Sequence, residues 1–152
     1  MTMWLDAALA YLHFSAVFAL FAFLTVELML ARGELEARAL RLLVRVDLWY
    51  VGAAAVALAT GFSRAIWGAK GWAFYAGDGV FWVKVLSVAA VAVLSIAPTR
   101  AFLRWRRRAQ AEHGFVVPED ERRRMRRYLM WEVHVAALVP LFAVVMARGL
   151  AR

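Results

Sequence analysis

Residues 80–102 read VFWVKVLSVAAVAVLSIAPTRAF and run straight into LRWRRR at 103–108. An apolar stretch of this length suffices for a helix to cross a bilayer, which takes about 20 residues. The arginines behind it mark the return to water and headgroups. Three further segments share this character, at residues 4–31, 46–66 and 128–147. None alternates with period two, which argues against a closed barrel. The composition agrees: 64% of the 152 residues are hydrophobic, whereas a soluble domain is about 45–50% apolar. The first segment lacks a basic leader and is too long for a signal peptide, so it reads as a retained helix. The expected architecture is all-α: a four-helix transmembrane up-down bundle with short loops and cytoplasmic helix extensions, a single integral membrane domain over residues 1–152.

The chain has no cysteine, which excludes disulfide scaffolds, thiolate zinc sites, iron–sulfur clusters and covalently attached c-type haem. Its formal net charge of +8 is informative only through its placement. Loop one carries Arg32, Arg38, Arg41 and Arg45. Loop three carries nine arginines between Arg104 and Arg127. The intervening loop, between spans two and three, has only Arg64, Lys70 and Asp78. The positive-inside rule therefore predicts a multi-pass protein of the bacterial inner membrane, with loops 32–45 and 104–127 cytoplasmic and both termini outside. Arg148 and Arg152 oppose this weakly. Arginines beside spans face anionic headgroups, and no nucleic-acid motif accompanies them, so membrane lipid rather than nucleic acid is the expected partner.

Local signals place the helix ends. The third helix should continue past the membrane through residues 104–112 and stop at His113-Gly114, where glycine can cap it; His113 reads as a solvated loop residue. Pro118-Glu119-Asp120-Glu121 has the proline and acids of a helix start. Gly33 should break the chain, with residues 34–45 forming an interfacial helix before the second span. Trp67, Trp72, Phe74, Tyr75, Phe81 and Trp82 read as an aromatic belt at the outer surface.

Ionisable groups within spans are costly and mark function by default. His13 and Glu27 on span one lie within about 40° of one helical face. On span two, Ala53, Ala57 and Gly61 form a small-residue series that admits a neighbouring helix. Span three carries Lys84, one of only two lysines beside 17 arginines. Glu132 and His134 on span four lie about 200° apart and cannot face one point. Glu27, Asp47, Arg100 and Glu132 fall near the cytoplasmic boundary. They are expected to form an inner polar network, either an ion-pair cluster balanced with Arg45 and Arg127 or a proton path. His13, Lys84 and His134 lie deeper or further out. Imidazole is an axial ligand of haem iron, and bundle cores hold such cofactors, so His13 with His134 or Lys84 forms a candidate cofactor or metal site. An interhelical hydrogen bond is the alternative for each histidine. Copper on Met1, Met3 and Met146 is a further option. No nucleophile–base arrangement indicates a hydrolase.

Several segments carry a resemblance. They are Leu12-His13, Val26-Glu27-Leu28, Ala59-Thr60-Gly61, Phe81-Trp82-Val83-Lys84, Leu94-Ser95-Ile96-Ala97-Pro98-Thr99, Phe102-Leu103-Arg104-Trp105-Arg106, Trp131-Glu132-Val133-His134 and Met146-Ala147-Arg148-Gly149. Together they resemble a bacterial family of short, four-span predicted membrane proteins of unknown function, over nearly the whole chain. The leucine-histidine pair early in span one and the lysine opening span three are also distantly similar to four-helix membrane protoporphyrinogen oxidases and copper-resistance D-type membrane proteins. Val17-Phe18-Ala19-Leu20 stands where the oxidases have a tryptophan-methionine-glycine stretch, and their second span-one histidine is missing. The resemblance thus implies the fold and haem b or porphyrin binding, with His13 and Lys84 at the site. The expected function is haem- or porphyrin-linked redox chemistry, with a homo-oligomer or membrane redox partner. The rivals are a non-catalytic membrane subunit whose polar residues are glue, and a small metal-handling or transport protein.

Overall fold

The computed structural model describes residues 3–68 and 71–148. Met1, Lys70, Gly149 and Arg152 lie outside the described residues. Four long helices and one short one follow in order: α1 (Met3–Leu30), α2 (Ala37–Trp67), α3 (Gly71–Ala76), α4 (Gly79–Ala111) and α5 (Glu119–Arg148). The described residues contain no strand. Each long helix is apolar and long enough to span a membrane. α1 packs chiefly on α2 and α5 chiefly on α4, with α2 against α4 joining the two pairs.

Loop one and loop three meet at one end of the bundle. Val117 N–H donates to the Leu35 carbonyl at 3.3 Å, and the Arg122 guanidinium donates to the Gly33 carbonyl at 2.6 Å. This is the arginine-rich end. At the opposite, aromatic end, the Trp72 ring meets Phe81 and Trp82 edge-on. There Asp78 caps α4 by accepting from Val80 N–H at 2.9 Å, and Trp82 Nε1 donates to the Ala76 carbonyl.

The helix ends refine the sequence reading. Residues 34–45 do not form a separate interfacial helix. The chain turns at residues 31–33, runs irregularly to Glu36, and α2 then continues unbroken from Ala37 to Trp67. At 1.5 Å per residue α2 is about 46 Å long, well beyond a hydrocarbon core of about 30 Å. Residues 37–45 contain no glycine or proline to break the rod. α4 likewise runs past the basic cluster to Ala111, with Glu112 as its cap. Gly114 takes φ +74° in the turn that follows, a left-handed conformation that glycine adopts without penalty. α5 starts directly after Pro118, with three acids in its first turn.

Packing is uneven along the bundle. Leu24, Leu40, Leu43, Phe102, Trp105 and Leu129 are fully buried, all towards the arginine-rich end. There Trp105 Nε1 donates to Glu121 at 2.6 Å. The aromatic half relies on small residues such as Ala16 and Ala65. Large side chains including Phe18, Leu48, Trp49, Leu86 and Trp131 stay exposed along the shafts. Contiguous exposed apolar surface of this kind is unsuited to water. Lipid covers it at no cost, and the helices associate through close packing and hydrogen bonds instead.

Candidate functional site: two buried polar clusters of opposite sign

The first cluster lies in the aromatic half, where α1, α2 and α4 leave a groove of about 270 Å³. His13 enters it from α1, and α2 lets it do so. A Cβ on Gly61 would stand only 3.2 Å from His13 Cε1, so the missing side chain makes room for the ring. His13 Nδ1 lies 3.0 Å from the Ala57 carbonyl and 3.1 Å from Thr60 Oγ1. A carbonyl only accepts, so Nδ1 bears the hydrogen and Nε2 keeps its lone pair. The Thr60 hydroxyl is directed back along its own helix, donating to the Val56 carbonyl at 2.6 Å. The residues at 57, 60 and 61 thus form a seat for the imidazole.

Lys84 of α4 lines the same groove, and no hydrogen bond or ion pair engages it among the described residues. Arg64, one turn beyond Thr60, lies over the Phe14 ring at 5.6 Å from its centroid, while its Nε is buried without a partner. The three basic groups are close enough to feel one another's charge. Phe62, Phe81, Val85 and Val88 supply apolar walls. The arrangement presents an imidazole lone pair and unneutralised cations beside hydrocarbon, the complement of an anionic amphiphile.

The second cluster lies towards the arginine-rich end. Glu27 of α1, Asp47 of α2 and Glu132 of α5 are 1%, 2% and 1% exposed, and they lie within one another's electrostatic range. Tyr50, one turn after Asp47, donates its hydroxyl to Glu132 Oε1 at 2.5 Å. Thr99 of α4 donates to Asp47 Oδ1 at 2.8 Å. All four long helices therefore contribute. Glu27 Oε1 and Glu132 Oε2 are buried with no partner.

The two clusters join some of the expected residues and separate others. His13 and Lys84 share a groove. His134 does not reach it: the side chain is exposed on the far side of α5, and its Nδ1 lies 2.6 Å from the carbonyl of Met130 one turn back. The 200° between positions 132 and 134 is the reason, since burying Glu132 turns His134 outward. The paired-histidine site is therefore not assembled. Arg100 does not join Glu27, Asp47 and Glu132. It is exposed, as are Arg45 and Arg127, and the ion pairs among the described residues lie elsewhere, around Glu112, Glu119 and Glu121. Long arginine side chains at span ends reach headgroups more cheaply than they enter a dry core. The balanced ion-pair cluster is thus replaced by an acidic one. Met3 is exposed, and no group of three histidine or acidic side chains is arranged to hold a metal ion among the described residues.

Tyr50, Thr60, Arg64 and Thr99 had less weight in the sequence than in the structure. For Tyr50 and Arg64 a signal existed: both lie on the helical stripe that runs from Asp47 through Gly61. Thr60 and Thr99 carried none, because a hydroxyl in a span commonly bonds its own backbone, as Ser63, Ser87 and Ser95 do.

No curated protein and no solved structure matches the chain. A family model does, from residue 5 to residue 151, so it takes in both clusters and all of the four spans but the first two residues of α1. The chain is an integral membrane protein and belongs to the family described as "predicted membrane protein (DUF2214)".

Proposed function

We propose that the protein binds haem b or a related porphyrin in the groove of its aromatic half, where His13 would be the iron ligand. The observation that carries this reading is the fixed imidazole. Its Nδ1–H is held by a backbone carbonyl while Nε2 stays free beside an apolar wall, the orientation that metal-ligating histidines adopt. Lys84 and Arg64 then serve as charge partners for the porphyrin carboxylates. His13 would hold the iron, and Lys84 with the apolar walls of the groove would hold the macrocycle. At about 270 Å³ the groove lies just below the roughly 300–1,000 Å³ of enclosed ligand sites, and lipid would cover the remainder. Haem, when bound, supplies one-electron redox chemistry. The chain's own part is to orient the imidazole through Ala57 and Thr60, to neutralise the acid groups, and to exclude water.

In this reading the protein sits in the bacterial inner membrane with its arginine-rich end cytoplasmic and both termini outside, following the positive-inside rule. Exposed arginines of loops one and three, including Arg38 and Arg41, bind anionic headgroups there. A membrane redox partner or a second copy would exchange electrons at the outer half.

The test is an absorption spectrum of the purified protein titrated with haemin. A Soret band lost in His13→Ala, weakened in Lys84→Ala and unchanged in His134→Ala is expected. Protein that stays colourless after haemin addition sinks the reading and favours a non-catalytic membrane subunit. Stoichiometric copper would favour metal handling instead.

A further inference from the structure

Three carboxyl groups from three helices converge in the arginine-rich half, and among the described residues no cation pairs with them. From α1 the group is Glu27. From α2 come Asp47 and the Tyr50 hydroxyl, from α4 the uncharged Thr99, and from α5 Glu132. Ionised side chains are rare within spans and are almost always paired when they occur. Here the nearest arginines in sequence, Arg45, Arg100 and Arg127, are exposed. Two donors serve the cluster, Tyr50 to Glu132 and Thr99 to Asp47. Glu27 receives none, and one further oxygen, Glu132 Oε2, is buried and unpartnered. Among the described residues the site therefore lacks positive charge and has fewer hydrogen-bond donors than buried carboxyl oxygens, and a proton on a carboxyl oxygen supplies both at once.

We propose that Glu27, Asp47 and Glu132 form a proton-binding site, taking from water the counter-charge that no basic side chain provides. A proton delivered by hydronium forms an O–H bond at Glu27 or Glu132, and the cluster's negative charge falls by one with each proton taken up. A metal ion fits this site less well. Hydroxyl donors already occupy an oxygen on two of the three carboxyl groups, and the described residues hold no three-ligand metal arrangement. This inference is independent of what the groove of the aromatic half binds.

Infrared spectroscopy of the full-length protein in lipid nanodiscs, in neutral buffer, tests it. The wild type should show a carboxylic-acid C=O band that shifts in deuterium oxide. Glu27→Gln and Glu132→Gln, which keep shape and hydrogen-bonding atoms, should each lose part of that band. Glu34→Gln, at an exposed position, should leave it intact. Absence of the band from the wild type would overturn the proposal without recourse to any variant. Equal bands in all four proteins would overturn it too. Loss of the band on adding sodium, potassium or calcium chloride at constant pH would assign the site to a metal cation and equally end the proton assignment.

Discussion

His13, Arg64 and Lys84 sit in the aromatic half, and Glu27, Asp47 and Glu132 sit in the arginine-rich half of the same bundle. The two sets differ in sign, in enclosure and in how well they are bonded. The acidic set is sealed, its three carboxyl groups at most 2% exposed, with hydrogen bonds that join α2 to α4 and to α5 and bulky Leu, Phe and Trp packing nearby. In the basic set His13 and Lys84 line an open groove walled partly by alanine, Arg64 lies over Phe14, and only the histidine is hydrogen-bonded. Polar groups that bind helices together need facing donors and acceptors in a dry setting. Groups that meet a ligand need an open face and unspent charge. On this comparison the acidic set holds the bundle together and the basic set is held ready for something outside it.

Removing single bonds should expose that difference. The largest loss is expected from Tyr50→Phe, which deprives buried Glu132 of its donor and should cost about 1–3 kcal/mol, the range for a buried acceptor left unsatisfied. Reversible unfolding in mixed micelles measures it, and an unchanged midpoint would break the picture of a bonded inner cluster. Gly61→Val should cost about 1–3 kcal/mol by forcing α1 away from α2. It should also abolish the haemin-induced band, because His13 loses its seat. Gly52→Ala is its control, since a Cβ at Gly52 meets nothing within 4 Å, and it should not lower stability. Thr99→Val, which removes one donor from Asp47, should cost about 0.6 kcal/mol, the average for hydrogen bonds between membrane helices. Lys84→Met is the sharpest contrast with these. Lacking a partner in the fold, Lys84 should change stability by less than about 0.5 kcal/mol yet weaken porphyrin binding in the haemin titration.

The helix starts and stops were legible wherever a residue forces the backbone. Gly114 needs a left-handed turn, Pro118 suits a first turn, and Asp78 offers an oxygen to a free N–H. The start of α2 was not legible, because nothing in residues 37–45 breaks a helix and only the packing of Leu40, Leu43 and Val44 fixes it as one rod. For the site, the opposed directions of Glu132 and His134 followed from helical geometry alone, but which of the two would face inward did not. The pairing of the acids with Arg100 failed for a related reason. A helical wheel gives the angle of a side chain's root, while a long arginine can carry its charge several ångströms to the headgroups.

Four spans, an all-helical bundle and a strong asymmetry of charge between its ends are set by the sequence itself, because hydrocarbon thickness and backbone hydrogen bonding leave a run of apolar residues so few choices. The shared depth of Glu27, Asp47 and Glu132 was legible as well; tertiary structure alone decided that Arg100 and His134 turn outward and that Arg64 comes near His13 and Lys84. Which buried groups meet depends on helix rotation and on contacts as local as an imidazole resting against Gly61, and neither is encoded in the hydropathy of a single span.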